Sequence, residues 1–223
     1  MRPIATLFML SSIDGKISTG SNNSLDFDKD LKLIEGIREG LHQYYEIEGT
    51  TDLWSLTTGK IQNKLGREYF EIKGLDFMSF VVLDNIHLTK DGIINLCKSL
   101  KQVVLVTSNR KHPARKLKLD NLEVLCNVTI EDVFAHLYEK YNCERLTVQS
   151  GGTVNGMLLK HKLIDYIDIV IAPVIVGGRD TPSLFDGRSI VHPNELKELG
   201  ILKLISCEKL ENSYIRLKYK VLG

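Results

Sequence analysis

The stretch Arg145-Leu-Thr-Val-Gln-Ser-Gly-Gly-Thr-Val-Asn155 decides the fold. A strand ending at Gln149, a turn made by two glycines and a helix that begins at once form the repeating step of a parallel α/β sheet. Glycine lets the backbone approach a ligand with no Cβ in the way. The first-turn N–H groups and the positive dipole end of the next helix then suit a pyrophosphate. A tight strand-to-helix turn that binds nothing fits the glycine pair equally well. The stretch is neither a Rossmann G-x-G-x-x-G nor a Walker loop, because no Gly-Lys-Ser/Thr follows and it falls late in the chain. A dinucleotide held here uses a different scheme.

Strand and helix patterns alternate on both sides of this turn. Ile4 to Ser11 is a compact apolar run and predicts a buried strand. Asp28 to Tyr45 carries Leu31, Ile34, Ile37, Leu41 and Tyr44 at helical spacing, which predicts one amphipathic helix. A short strand is expected over Asp52 to Thr57, then a less regular charged segment to Asp76. Phe77 to Leu83 and Gln102 to Thr107 are rich in β-branched and apolar residues, as central strands are. Leu122 to Leu125 is a shorter candidate.

Thr129 stands as the N-cap of a helix reaching about Tyr141, with Asp132 at the capping-box position. Arg145 to Gln149 reads as a strand, Gly152 to Lys162 as a helix and Tyr166 to Ile175 as a strand. Leu202 to Leu210 and Ser213 to Val221, joined by Glu211-Asn212, predict an antiparallel hairpin. The whole predicts a single α/β domain over residues 1–223: a mostly parallel sheet, helices on both faces, and a C-terminal antiparallel hairpin.

The 223 residues are 43% hydrophobic and 26% charged, enough apolar content to bury one sizeable core. With 29 basic and 28 acidic residues the formal net charge is +1, which argues against a broad nucleic-acid or membrane surface but leaves room for a local phosphate pocket. Met1-Arg-Pro3 leads straight into an apolar run without the regions of a signal peptide, and no apolar stretch reaches bilayer-spanning length. Cys97, Cys126, Cys143 and Cys207 are scattered, with no C-x-x-C, so buried free thiols in a reducing cytoplasm are expected and a zinc site is not. The histidines show no H-x-x-x-H spacing, and His112, His161 and His192 are placed in or near turns, in solvent. Trp54, the sole tryptophan, reads as core packing more readily than as a ring-stacking residue.

Two further signals carry chemistry. In Ser11-Ser-Ile-Asp-Gly-Lys16, Asp14-Gly15 turns the chain and leaves Asp14 and Lys16 at the C-terminal edge of the sheet, where open α/β sheets bind ligands. A lysine there suits an anionic or carbonyl-bearing substrate and can serve as proton donor. An Asp-Gly turn with a solvated lysine is the plainer reading of the motif alone. In Pro173-Val-Ile-Val-Gly-Gly-Arg-Asp180, the glycine pair permits close backbone approach after a strand or simply relieves its twist.

Taken in order and spacing, these motifs resemble the reductase domain of the bifunctional riboflavin-biosynthesis deaminase/reductase family, whose fold is dihydrofolate-reductase-like and three-layered. The anchors are Ser12-Ile-Asp-Gly-Lys16, Val81-Val-Leu-Asp-Asn85, Gly151-Gly-Thr-Val-Asn155, and Ala172-Pro-Val-Ile-Val-Gly-Gly178 leading to Phe185-Asp-Gly187. The resemblance implies an NADPH-dependent reductase of the 5-amino-6-(5-phosphoribosylamino)uracil type, acting on a small molecule as a cytoplasmic homodimer. It implies cofactor contacts at Gly151, Gly152, Thr153, Val154 and Asn155, with Ser11, Asn85, Gly59 and Lys60 also lining that site. Asp14 and Lys16 are the implied catalytic pair, and Lys16 and Gln149 the implied substrate contacts. Ser108, Asn109, Arg110 and Lys111 are placed to meet a 2′-phosphate, or form a solvated charge run.

The sequence departs from the family at Gln149, where an acidic residue is usual. It departs again at Gln62-Asn-Lys-Leu-Gly-Arg67, where an Asp-Asp-Pro phosphate segment is usual and Lys64 or Arg67 would have to substitute. The His-x-Glu and Pro-Cys-x-x-Cys ligands of the family's zinc deaminase domain are not found in the sequence. With these departures the fold and cofactor are expected to carry over better than the substrate: the chain is a stand-alone riboflavin-pathway reductase or a paralogue acting on another heterocycle or carbonyl. The alternatives are a non-catalytic nucleotide-binding protein and a dihydrofolate-type reductase.

Overall fold

The computed structural model describes residues 1–222. In chain order its first elements are β1 (Ile4–Ser11), α1 (Phe27–Leu31), α2 (His42–Glu48), β2 (Trp54–Thr58), α3 (Gly59–Lys64), β3 (Ser79–Leu83), α4 (Lys90–Ser99) and β4 (Gln102–Thr107). They are followed by β5 (Leu122–Cys126), α5 (Ile130–Tyr141), β6 (Arg145–Val148), α6 (Gly152–Lys160), β7 (Tyr166–Ile171), β8 (Ile201–Lys209) and β9 (Ile215–Leu222). The elements fall into two compact units, one of residues 1–4 and 52–150, the other of residues 5–51 and the described residues from 151 on.

In the first unit, strands run in the order β5-β4-β3-β2-β6 with parallel pairing throughout. Consecutive Val103, Val104 and Leu105 of β4 are all fully buried, so the strand is covered on both faces. That is why it reads in sequence as an unbroken aliphatic run and not as an alternation. Thr89 caps α4 by accepting the Gly92 N–H at 3.2 Å, and Ile93, Leu96 and Cys97 enter one core with Val82, Val103, Leu105 and Ala114. Thr129 caps α5 as expected, accepting the Asp132 N–H at 3.2 Å, and Asn142 ends the helix at φ 51°. Trp54 packs on Tyr141, ring centroids 5.2 Å apart.

In the second unit, β1 lies parallel to β7, which pairs antiparallel with β9, and β8 pairs antiparallel with β9 to form the edge. Phe8, Leu10, Phe27, Leu31, Leu41, Tyr44, Val170, Ala172 and Tyr214 make its core, with the Phe8 and Tyr44 rings stacked at 5.3 Å. The C-terminal hairpin is present, turned by Asn212 at φ 51° and Ser213 at φ 65°.

Three expectations need correction. The stretch Asp28 to Tyr45 is not one helix but α1, a 3₁₀ turn at Arg38–Gly40, and α2. Gly36 sits at φ +83°, a conformation that ends a right-handed helix, and Ile34, assigned to the apolar stripe, is exposed. The segment after β2, expected to be irregular, begins with α3, whose Thr58 cap accepts the Ile61 N–H at 3.3 Å. Between β3 and β4 lies α4, a helix absent from the sequence reading although Ile93, Leu96, Cys97 and Leu100 recur at helical spacing. Of the cysteines, Cys97 and Cys143 are buried free thiols, while Cys126 is half-buried and Cys207 exposed. No helix among the described residues is long and apolar enough to cross a membrane.

Gly40 makes the bent segment of the second unit possible, because a Cβ there would stand 2.6 Å from Cδ2 of the fully buried Tyr214. Gly40→Ala should therefore cost about 1–3 kcal/mol through overpacking. A urea unfolding curve with unchanged slope and a lowered midpoint is the expected result, and an unchanged midpoint would refute the contact.

Candidate functional site

The loops at the C-terminal ends of the strands hold almost every residue singled out in the sequence. In the second unit, Gly151 is the N-cap of α6 at φ −76° and ψ 159°, and its carbonyl accepts the Val154 and Asn155 N–H groups at 2.9 and 3.0 Å. Any residue tolerates that backbone geometry, and a Cβ on Gly151 would meet nothing within 4 Å. No protein neighbour demands glycine there. The first-turn N–H groups of Gly152 and Thr153 have no acceptor within the helix itself.

Gly152 and Gly156 differ. A Cβ at Gly152 would collide with the Ser183 carbonyl and the Asp186 carboxylate, and one at Gly156 with the Asp186 carbonyl. The Asp186 N–H donates to the Gly152 carbonyl at 2.9 Å, and the buried Asn155 amide donates to the Leu184 carbonyl at 2.7 Å. These residues dock the segment 183–187 onto α6. The resemblance implies cofactor contacts along this whole turn; in the structure Gly152, Asn155 and Gly156 also pack against the segment 183–187, whereas Gly151 has no such neighbour.

Asp14 and Lys16 stand on the turn expected of them, with Gly15 at φ +72°. The Asp14 carboxylate accepts the Ser12 hydroxyl at 2.6 Å and the Val176 and Gly177 N–H groups at 3.1 and 2.7 Å. It thereby joins two of the sequence motifs. The Ser12 hydroxyl, then the Val176 and Gly177 amides, hold its pKa down at about 2, so at neutral pH it is an anion with no proton to give. Its work in this geometry is to position the loop at Gly177 and Gly178, both of which have positive φ. The Lys16 ammonium donates to the Thr181 carbonyl at 2.9 Å and to the Ser183 hydroxyl at 3.1 Å, leaving one of its three hydrogens uncommitted. Ser11 is buried, its carbonyl accepting the Ala172 N–H at 2.8 Å.

In the first unit, Gly59 opens α3 and Lys60 beside it is exposed. A Cβ at Gly59 would collide with the carboxylate of Asp84, which lies at the end of β3. Asn85 accepts from the Thr107 hydroxyl at 2.9 Å and the Ser108 N–H at 2.8 Å, and its carbonyl accepts from the Asn109 amide at 2.7 Å. It therefore staples the loop that presents the exposed Ser108, Arg110 and Lys111. Gln149 accepts from the Ser55 hydroxyl at 3.3 Å, and its N–H donates to the Leu56 carbonyl at 2.9 Å. Arg67 reaches Gln62 at 3.4 Å.

The sequence reading misses Asp84 as a centre and misplaces His112. That histidine is buried, not solvated, and its Nε2 lies 3.0 Å from Asp84. Its proximity to a turn in sequence carries no sign of this, since its partner lies 28 residues away. His161 and His192 are exposed as expected. No cluster of metal-ligating side chains occurs among the described residues.

Mainly parallel strands with helices between them, carrying these glycines and carboxylates on their C-terminal loops within each unit, define an α/β protein, a class whose open sheets hold ligands at that edge. The chain belongs to the RibD C-terminal domain family, whose model matches residues 55–215. It is 24% identical over 212 residues to the 2,5-diamino-6-ribosylamino-4(3H)-pyrimidinone 5′-phosphate reductase of Archaeoglobus fulgidus, covering 89% of this chain and 93% of that one. The enzyme of the same name from Methanothermobacter thermautotrophicus is 27% identical over 197 residues, covering 85% and 87%. Among solved structures, Acinetobacter baumannii RibD superposes with a TM-score of 0.68 at 16% identity over 100% of this chain, which spans 59% of the RibD chain. The Saccharomyces riboflavin biosynthesis reductase gives 0.60 at 13% identity, covering 99% and 90%. The fold is that of the RibD reductases, as the motifs implied.

The Asp14 contacts make a specific statement about pH. A depressed carboxyl pKa gives stabilisation that is present above the ordinary value of 3.8 and fades as the pH falls toward about 2. Amide hydrogen exchange at Val176 and Gly177 should be slow at pH 5 and accelerate about ten-fold in Asp14→Ala, with other β7-side amides unaffected. Equal exchange in the two proteins would remove Asp14 as the loop's anchor.

Proposed function

We propose that this protein is an NADPH-dependent reductase of a ribosylaminopyrimidine 5′-phosphate in riboflavin biosynthesis. The observation that carries the reading is Gly151, a helix-capping glycine that neither its backbone angles nor a protein neighbour requires. An open helix N-terminus of this kind is a phosphate cradle that any Cβ would begin to fill. Family membership and the names of two relatives that align over most of their length support the same reaction.

NADPH would supply the hydride. The protein's part is to hold and orient: Gly151 and Thr153 at the pyrophosphate, Ser108, Arg110 and Lys111 at the 2′-phosphate, and Asn85 as the staple of that loop. Gly59 and Lys60 line the cofactor through the α3 loop. Lys16 directs its remaining hydrogen to the substrate, and Gln149 offers a neutral amide to the pyrimidine. Since Asp14 stays ionised, the proton that completes the reduction comes from Lys16 or from water. The diaminopyrimidinone form is the first substrate to test, and the aminouracil form the second.

A non-catalytic nucleotide-binding protein is the second reading. Gln149 in place of an acid and the engagement of the Lys16 ammonium with Thr181 and Ser183 favour it. Cofactor binding without turnover of either pyrimidine would select it.

We further propose a homodimer through β8. This edge strand exposes Ile201, Leu202, Leu204 and Ile205 together with its unpaired backbone edge, and an antiparallel strand edge pairs with itself about a two-fold axis. Leu204→Lys with Ile205→Lys should give a monomer by light scattering, and a dimer surviving both changes would exclude this edge.

Consumption of NADPH with the diaminopyrimidinone substrate, followed by nicotinamide absorbance, tests the main reading. Gly151→Asp should weaken NADPH binding about 100-fold or more by setting a side chain and a negative charge against the cradle. Its melting temperature should stay near wild type, since the new Cβ touches nothing. Gly152→Asp is the poorer test, because its Cβ would strike the segment 183–186 and unseat it. Unchanged NADPH affinity in Gly151→Asp would overturn the assignment of this turn.

A further inference from the structure

We infer that the buried Asp84–His112 pair is a positioning device that fixes the 107–112 loop and thereby sets selectivity for the 2′-phosphate. This rests on the NADPH reading above.

Asp84 accepts the N–H groups of Ile86, His87 and Leu88 at 3.3, 3.0 and 2.8 Å, which is what a carboxylate capping a turn does. It also accepts from His87 Nδ1 and from His112 Nε2, each at 3.0 Å. The Ala114 N–H points at His112 Nδ1 at 3.3 Å, so Nδ1 accepts and the proton lies on Nε2, facing Asp84. Burial alone would raise the Asp84 pKa, but hydrogen bonds led by His112 overcome it and hold the group below its ordinary value. Simple packing needs no imidazole here. A leucine would fill such space but would take a donor from the buried Asp84 carboxylate and an acceptor from the Ala114 N–H.

Adjacent residues at the end of β3 thus grip both ends of one loop. Asn85 holds its start through Thr107, Ser108 and Asn109, and Asp84 holds its end through His112. The His112 N–H closes the span onto the Asn109 carbonyl at 3.1 Å. What lies between, Arg110 and Lys111, faces solvent with Ser108. A loop pinned at both ends has little freedom left to lose when its charged donors close on a phosphate. The same carboxylate occupies the space of a residue-59 side chain, so it also sets how closely the α3 loop approaches.

The experiment compares dissociation constants for NADPH, NADH, adenosine 2′,5′-bisphosphate and adenosine 5′-monophosphate in wild type, His112→Asn, His112→Gln and His87→Ala. Asparagine is too short to reach Asp84, whereas glutamine places a donor where Nε2 stands. His112→Asn should lose about ten-fold in preference for NADPH over NADH, and equally for the bisphosphate over the monophosphate, with NADH affinity changed less than about two-fold. His112→Gln should restore most of that preference. His87 is half-exposed, so His87→Ala folds whatever His112 does, and it should lose about two- to three-fold. Wild-type preference retained in every folded variant overturns the inference and leaves the NADPH reading standing. Wild type without any preference for the phosphorylated cofactor overturns both.

Discussion

A carboxylate accepting backbone N–H groups is the interaction on which the strand-end loops depend. Parallel strands deliver the chain to their C-terminal edge with N–H groups that no further ladder can satisfy, and an unpaired buried donor is costly. Asp84 gathers three of them at residues 86–88, and Asp14 gathers two at residues 176–177. The environments differ: Asp84 is buried and must offset desolvation, while Asp14 is exposed. Both carboxyl groups nonetheless sit below their ordinary pKa, because in each case donated hydrogen bonds favour the charged form. Neither is free to act as an acid at neutral pH.

Glycine complements these anions. Gly59 yields its side-chain space to Asp84, and Gly152 and Gly156 yield theirs to the segment around Asp186. Such glycines are demanded by protein neighbours and would be needed with or without a ligand. Gly151 is not. Sterics thus divide the glycine motif into positions that protein neighbours require and one, Gly151, that they do not, a distinction that a string of letters does not contain.

The strands are legible because burial on both faces leaves a dense aliphatic run. Gln102 to Thr107 matches its sequence reading to the residue, and so does Ile4 to Ser11. Helices fare worse where local signals conflict. The apolar spacing of 28–45 survives across a break because Leu31, Leu41 and Tyr44 all reach the core from separate pieces, so periodicity overrides the warning given by Gly36 and Gly40. In α4, the glycine and charged residues of Lys90-Asp91-Gly92 hide a helix whose cap and stripe are nonetheless present. Site residues that share one motif are readable: Asp14, Lys16 and the glycine turn. Those defined by a distant partner are not, and His112 is the clearest, since burial against Asp84 is a property of the fold and not of its neighbours in sequence.

The two sets of loops are held by different chemistry, and that bears on how the site can change. The segment 183–187 is seated by backbone contacts on glycines and by the Asn155 amide, so nearly any side chain added at residue 152 or 156 displaces it. The 107–112 loop is seated by side chains, Asn85 at one end and Asp84 with His112 at the other, while Arg110 and Lys111 are exposed and the Lys111 N–H donates to Asn109 Oδ1 at 2.9 Å. The residues that would read a phosphate are therefore separable from those that hold the loop. Substituting Arg110 or Lys111 alters charge without altering geometry, whereas substituting His112 alters geometry without altering exposed charge.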